Sequence, residues 1–205
     1  MNITEMRLLL RRDLRDTDPA GYRWTDEELD RHLLHAVQEL SDYLPLEQNS
    51  DLATVAGSRE VDISSLTDRI CIEAVEYPAG LFPASLPHFR VWGDTLTLTD
   101  GALPDGSTCR IYWGKLHTLD SNGSTVPSRY NGLLIAGAAG FAATSQGVGT
   151  INRVNTGGTQ TPRDWAEWGE QRLAFFYREL RRLGRKNRVR VRRFYLDAEQ
   201  TEDTE

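Results

Sequence analysis

The sequence contains few residues of the kinds that cross-link chains, ligate metals or enter membranes. It has two cysteines, Cys71 and Cys109, and four histidines in 205 residues. Two cysteines in a chain of this length do not make a disulfide framework, and both lie in strand-like segments, so we expect buried free thiols. The most apolar segment, residues 133–143, is shorter than the roughly 20 residues that a membrane-spanning helix needs. The apolar run before Arg11 is too short for a signal peptide. We therefore expect a soluble protein made in a reducing compartment.

The charge balance is acidic, with a formal net charge of −6 at pH 7. Non-specific binding of nucleic acid by a whole chain needs a basic surface, so this balance argues against it, although a local basic patch remains possible. Hydrophobic residues make up 39% of the chain and charged residues 26%. These fractions are typical of a globular protein, and the length fits one domain or one domain with an insertion.

Residues 24–44 carry the clearest pattern, which predicts a long amphipathic helix. Thr25 is placed as the N-cap, and Glu28 completes a capping box three residues later. Pro45 ends the helix because proline disfavours helical backbone at the residue before it. One apolar stripe follows at helical spacing: Leu29, Leu33, Ala36, Val37, Leu40 and Leu44.

Three further helices are predicted. Residues 2–15 form the first of the four and should pair with the long helix as a hairpin. Pro127 opens the third helix, whose many small residues let another helix approach closely. The fourth begins at Pro162 and is expected to end at Gly184, a C-terminal cap. Its residues Trp165 and Trp168 are expected to pack on the third helix.

Between the second and third helices the period changes to two, which is typical of strands. Short runs rich in β-branched and aromatic residues between positions 59 and 115 predict a small antiparallel β unit, with Trp92 and Trp113 in its packing. Gly93-Asp94 is placed as a hairpin turn. Residues 47–58 show no pattern. The predicted fold is therefore α+β: a helical bundle of about four helices from residues 1–48 and 126–184, an inserted β unit from 49–125, and a C-terminal arm from 185–205.

One face of the long helix has the composition of a metal site. Glu28, His32, His35 and Glu39 share a side at helical spacing. A solvated polar face explains the same residues, and no second helix supplies further ligands, so we predict no metal. The chain also lacks a nucleophile elbow and a phosphate-binding loop motif. We predict a protein that is not an enzyme and needs no cofactor.

The strongest local signal is a basic segment near the C-terminus. Arginine and valine alternate from Arg188 to Arg192, so a strand would place the arginines on one face. Such an arm can bind acidic side chains or phosphates, or it can be a solvated segment neutralised by the acidic residues 197–205. The adjacent aromatic residues favour an interface. The candidate partner-binding residues are Arg185, Lys186, Arg188, Arg190, Arg192, Arg193, Phe194 and Tyr195.

The opening helix, with Leu-Leu-Arg-Arg-Asp-Leu-Arg-Asp at residues 9–16, leads to Arg-Trp-Thr-Asp-Glu-Glu-Leu at residues 23–29. A long helix, a β insertion and two further helices with a basic arm follow. In this order the chain resembles the head–tail connector, or adaptor, proteins of tailed bacteriophages. The motif at residues 23–29 is the most specific part of the resemblance, which otherwise rests on the order of elements.

The resemblance implies a structural virion protein at the head–tail junction, made in the host cytoplasm. Its copies would form a ring, often of twelve, beneath the portal protein and above a tail or stopper protein. DNA would pass through the channel without specific binding, and no membrane would be involved. By position, the segment 185–195 would dock on the portal. The alternative is a nucleic-acid-binding module that uses the C-terminal arginines. The glycine-rich loop 146–160 would line the channel or a contact between subunits.

Overall fold

The computed structural model describes the backbone of residues 1–149 and 162–199, and the side chains of residues 1–146 and 163–188. These residues form four α-helices and two small antiparallel sheets, so the fold is α+β, as the sequence predicts. The helices and strands are α1 (Ile3–Asp13), α2 (Asp26–Tyr43), β1 (Leu46–Ala53), β2 (Glu60–Asp62), β3 (Arg69–Glu76), β4 (Phe89–Trp92), β5 (Thr95–Leu98), β6 (Thr108–Lys115), α3 (Asn131–Gly149) and α4 (Pro162–Glu199).

The chain divides into two compact units. The helical unit comprises Met1–Leu44 and His117–Gly184, and the second unit comprises Pro45–Leu116 together with the residues from Arg185 onward. We refer to Pro45–Leu116 as the β unit. It begins before the predicted residue 49 because β1 starts at Leu46, directly after the proline that ends α2, and it ends before the predicted residue 125 because the residues from His117 belong to the helical unit.

The first two helices begin as their sequences predict. Asn2 caps α1 and Thr25 caps α2, and each forms a capping box with the glutamate three residues later, Glu5 and Glu28. Each box satisfies backbone N–H groups that have no partner within the helix. The predicted apolar stripe of α2 is buried from Leu29 to Leu40. It joins one core cluster with residues of α1, α3 and α4.

Glycines bring α3 and α4 into close contact. A Cβ atom added to Gly137 would lie 2.8 Å from the ring of Phe176, and one added to Gly169 would lie 2.6 Å from Thr144 Oγ1. Many of the buried residues of α3 are also small, namely Ala136, Ala138, Ala139, Ala142 and Ala143. The small residues of α3 therefore permit the close helix approach that the sequence predicts.

The β unit contains two three-stranded sheets rather than one continuous sheet. The first has the order β1-β6-β3 and the second the order β2-β5-β4, with every pairing antiparallel. A shared apolar core that includes Val61, Ile63, Leu96, Ile111 and Trp113 packs within the unit. The β4–β5 hairpin turns at Gly93-Asp94, as predicted, and Gly93 has a φ of +57°.

Three predictions about the β unit and its surroundings are wrong. Residues 47–58 are expected to show no pattern, but β1 covers 47–53 of this segment and pairs with β6 along its whole length. Trp92, expected to pack in a sheet, is 90% exposed beside the hairpin turn. The predicted loop 146–160 does not begin at residue 146, because α3 continues to Gly149 and includes the first four of its residues. Residues 150–160 of that loop lie outside the described residues.

The fourth helix is longer than predicted. Gly184 does not end it, because α4 continues to Glu199. Gly184 is buried, and an added Cβ would lie 2.9 Å from Tyr43 Cδ1, so the glycine permits contact with the end of α2. The strand arrangement considered for residues 188–192, with all arginines on one face, is therefore not formed. Successive residues of an α-helix are rotated by about 100°, so positions 188 and 190 lie on nearly opposite sides.

Candidate functional site

The sequence motif at residues 23–29 takes part in a network of ion pairs that joins α1 to α2. Arg11 is 3% exposed and donates to Asp16 at 2.6 Å, to Asp26 at 2.7 Å and to the carbonyl oxygen of Trp24 at 3.0 Å. Its guanidinium also lies 3.6 Å from the centre of the Tyr22 ring. The motif therefore holds the helix hairpin together through a buried cation.

Arg7 extends the network along the same two helices. It donates to both carboxylate oxygens of Asp30, at 2.7 and 2.9 Å, and it also pairs with Asp26. The pKa of Asp26 is lowered, first by the hydrogen bond from Arg11 and further by Arg7. A carboxylate with a lowered pKa stabilises the fold above its unfolded pKa, and that stabilisation is lost as the pH falls through the folded pKa.

A cleft of about 410 Å³ opens beside this network. Its aromatic part consists of Trp165 and Trp168 of α4, whose rings meet edge to face at 6.1 Å, and Trp165 packs in the same way on Trp24. Both tryptophans also pack against the core cluster of the helical unit, to which α3 contributes. Leu173 and Phe176 make close contacts with glycines of α3. The charged residues that line the cleft are Asp13, Arg15, Asp16, Asp18, Arg23 and Asp164. We call it the acidic–aromatic cleft.

The predicted partner-binding residues all lie on α4. Arg185, Lys186 and Arg188 are exposed. Arg190, Arg192, Arg193, Phe194 and Tyr195 belong to the same helix, and their side chains lie outside the described residues. The predicted C-terminal arm is thus a continuation of α4 as far as Glu199. The acidic segment 197–205 begins within α4, and its residues beyond Glu199 lie outside the described part of the chain.

A second surface was not found from the sequence. Three loops lie at one end of the β unit: residues 54–59, 77–88 and 99–107. They meet there because β1 ends opposite the start of β6. Backbone hydrogen bonds join the loops to one another and to the start of β6. Gly57 donates to the carbonyl of Pro104 at 2.7 Å, and Ala79 donates to that of Thr108 at 2.9 Å. We call this the loop end. It exposes four large apolar residues: Val55 (66%), Leu81 (57%), Phe82 (101%) and Leu103 (58%).

Buried polar groups hold the loop end in shape. The Tyr77 hydroxyl donates to Asp105 at 2.8 Å and accepts from the Asp105 backbone N–H at 2.9 Å. Glu76 is 4% exposed and accepts from Gly80 N–H at 2.6 Å and from the Tyr112 hydroxyl at 2.8 Å. The pKa of Asp105 is lowered to about 2 by hydrogen bonds from Ser107 and Tyr77. The exposed apolar residues are thus carried by anchored loops.

The residues considered as a metal face have separate roles. Glu28 accepts from the Thr25 N–H in the capping box at 2.8 Å. His35 stacks on Phe141 at 4.1 Å and lies 3.5 Å from Glu39, while His32 is 7% exposed. Within the part of the chain whose side chains are described, no three His, Cys, Asp or Glu residues come together as metal ligands.

The buried His32 should make the protein less stable in mild acid. Burial lowers its pKa from 6.5 to about 4, and neighbouring Arg31 acts in the same direction. Between these values the unfolded chain binds a proton that the folded protein does not, so stability falls as the pH is lowered. From this residue alone we expect a loss of about 1 to 2 kcal/mol between pH 7 and pH 5.

Urea unfolding at the two pH values measures this loss, with His32→Leu as the test and His35→Leu as its neighbour on the same helix. The pH dependence of the His32 variant should be smaller than that of the unmodified protein by about 1 to 2 kcal/mol between pH 7 and pH 5. His117, whose pKa is also lowered by burial, keeps its own contribution in both variants. An equal pH dependence in both variants and the unmodified protein would show that His32 does not titrate in this range.

Both cysteines are free thiols, as expected. Cys109 is buried and Cys71 is half-buried. Burial raises the pKa of the Cys71 thiol to about 12 and that of Cys109 to about 11. Neither thiol is activated as a nucleophile, because the thiolate is the reactive form.

No protein-family model matches the sequence, and no curated protein matches it significantly. Within the described residues, none of the helices combines the length and apolar character needed to cross a membrane.

The ion-pair network could have been predicted from the spacing of charged residues, which composition alone does not show. Arg7 and Arg11 are spaced by four residues, as are Asp26 and Asp30, so two successive helices carry complementary charged faces. The sequence also indicates the loop end. Leu81 and Phe82 lie between a glycine and a proline, outside any helical or strand period, so they are large apolar residues in a loop.

Proposed function

We propose that this protein is a structural adaptor of a tailed-phage virion, which forms a ring between the portal and a tail or stopper protein. The observation that carries the proposal is the loop end. Four large apolar residues are exposed on loops held by buried hydrogen bonds, and clustered exposed apolar residues mark interaction sites. Such loops suit a subunit that becomes buried in an assembly.

The helical unit supports the same proposal. We propose that its four helices form a bundle, because apolar faces of all four contribute to one core. The buried Arg11 network and the close α3–α4 contact would make it a rigid body. A ring that works by geometry rather than by chemistry needs such rigid subunits. Neither catalysis nor a cofactor enters this proposal.

The role is tested by electron microscopy of the protein mixed with the portal ring of its own phage. An additional ring on the portal is the expected result. Because α4 continues through Gly184, a chain cut after this residue tests the loss of a helix end rather than of a separate arm. If the unmodified protein adds no density to the portal, the adaptor proposal fails.

The loop end provides a sharper prediction. A Phe82→Ser/Leu103→Ser variant should fold with nearly unchanged stability, because both side chains are exposed in the isolated chain. We expect it to bind the portal ring or the tail-completion protein at least about tenfold more weakly, since buried aromatic and aliphatic anchors dominate interface energies. Affinities for both partners are measured by surface plasmon resonance.

Leu8→Ser is the matched control, because Leu8 is a 53% exposed leucine on α1, far along the chain from the loop end. It should bind both partners as the unmodified protein does. Unchanged affinity of the double variant for both partners would exclude the loop end as an assembly surface.

The alternative proposal, a nucleic-acid-binding module, uses the same basic part of α4. It predicts DNA affinity that falls steeply with salt and is lost when the arginines from 188 to 193 become glutamate. The adaptor proposal instead predicts weak DNA binding and impaired portal attachment from that change. A DNA titration at several salt concentrations separates the two.

A further inference from the structure

The acidic–aromatic cleft has the chemistry of a guanidinium-binding site. Four of its six charged residues are aspartates, and its aromatic part is formed by two half-buried tryptophans. Both rings already interact with guanidinium groups of the chain: Arg23 Cζ lies 4.9 Å from the centre of the Trp165 ring, and Arg172 Cζ lies 4.9 Å from that of Trp168. Aromatic faces beside carboxylates favour further arginine side chains.

The same chain presents a set of arginines suited to this cleft. Arg181, Arg185 and Arg188 are spaced by four and three residues, so they share one side of α4. All three are exposed, and no ion pair of theirs is found among the described residues. We call these residues the arginine stripe. It lies at the opposite half of α4 from the two tryptophans.

The helix itself keeps Arg181, the first residue of the arginine stripe, away from its own cleft. Arg181 follows Trp168 by 13 residues within α4. At about 1.5 Å per residue, this separation is about 20 Å along the axis, beyond the reach of an arginine side chain. Contact between Arg181 and the cleft therefore requires two copies of the chain.

We propose that the arginine stripe of one copy binds the acidic–aromatic cleft of the next copy. The contact is head-to-tail, because two different surfaces of each copy take part, and such contacts generate rings when the rotation closes. The inference rests on the proposed function, in that it supplies the contact between neighbours of the adaptor ring. The charge complementarity selects a second copy as the occupant.

The test compares self-association of three charge-reversed proteins by sedimentation velocity at low and high salt. The cleft variant is Asp13→Lys/Asp164→Lys, and the stripe variant is Arg181→Glu/Arg185→Glu/Arg188→Glu. The matched control for the stripe variant is Arg12→Glu/Arg31→Glu/Arg90→Glu, which reverses three other exposed arginines. Circular dichroism confirms that each protein is folded.

We expect the unmodified protein and the control to associate at low salt. The cleft variant and the stripe variant should each associate at least about tenfold more weakly. A mixture of the two variants should form dimers and no larger species, because one intact stripe and one intact cleft remain in each pair. Association of either variant like the unmodified protein, no association of the unmodified protein, or a mixture without dimers would overturn the inference.

Portal binding separates this inference from the proposed function. If the cleft and stripe variants still form a complete added ring on the portal, the inference fails and the adaptor role stands. If the unmodified protein associates as described but adds nothing to the portal, the interface stands and the adaptor role fails.

Discussion

An Arg11→Ala variant is expected to have a free energy of unfolding about 3 to 5 kcal/mol lower than the unmodified protein. Arg11 and Asp16 have side chains that are only 4% and 6% exposed, and their atoms approach to 2.6 Å. Removing the cation leaves the Asp16 carboxylate buried, with backbone N–H donors of Arg23 and Trp24 as its remaining partners. A buried charge that has lost its counter-ion is costly because no water replaces the lost interactions.

Chemical denaturation at neutral pH measures this loss, and Arg12→Ala is the control. Arg12 is the next residue of α1 and is exposed, so its replacement should change stability by no more than about 0.5 kcal/mol. A double variant, Arg11→Met/Asp16→Asn, should recover part of the stability, since it removes both charges. If Arg11→Ala costs less than about 1 kcal/mol, the network is not a main support of the hairpin.

Gly169→Ala is expected to destabilise the protein by about 2 to 3 kcal/mol, although alanine favours an isolated helix over glycine by about 1 kcal/mol. An added Cβ would lie 2.6 Å from Thr144 Oγ1, 2.9 Å from the Thr144 backbone nitrogen and 3.0 Å from the carbonyl oxygen of Gly140. Two of these three atoms belong to the backbone, so the steric clash with the added Cβ is relieved only if α3 and α4 move apart. Their separation would also loosen the contacts of Phe176 and Leu173 with α3.

Gly132→Ala in α3 is the matched control for this substitution. Gly132 is exposed, and nothing lies within 4 Å of its added Cβ, so alanine there should stabilise the protein by up to about 1 kcal/mol. Thermal and urea unfolding of the two variants should therefore shift in opposite directions. Shifts of the same sign would mean that α3 and α4 do not pack through Gly169.

The sequence predicts the first two helices well because their signals are local. Thr25 and Glu28 lie three residues apart, and the apolar residues of α2 recur every three or four positions. The α+β class and the Gly93-Asp94 hairpin also follow from short-range patterns. Capping, periodicity and turn chemistry each depend on a few neighbouring residues, so one sequence is sufficient to read them.

The failures concern features determined by partners distant in sequence. β1 has mostly polar residues and forms because β6 supplies hydrogen bonds to a segment about 60 residues away. Gly184 resembles a helix cap, but its lack of a side chain serves the contact with Tyr43. The alternation of arginine and valine after Arg188 imitates a strand within a helix. The geometry of the basic segment depends on the continuation of α4 through Gly184.

The candidate site shows the same difference between features set by neighbouring residues and features set by residues distant in sequence. Composition alone predicts Arg185, Lys186 and Arg188 as candidate surface residues, and all three are exposed. The loop end was missed because the three loops that form it are separated in sequence and meet only when β1 pairs with β6. The acidic–aromatic cleft likewise needs the α1–α2 turn and the start of α4, which are about 140 residues apart in the sequence.

The pairing of Leu46 with Lys115 has a consequence for how this chain tolerates change in length. The β unit starts and ends at neighbouring positions of one ladder, about 5 Å apart. With respect to the rest of the protein, the chain between them is therefore an inserted loop whose two ends are adjacent. The entropy of closing a loop rises by only about 0.6 kcal/mol for each doubling of its length. Insertions and deletions within the β unit, or its exchange for another unit with adjacent ends, thus change the chain entropy of folding only slightly.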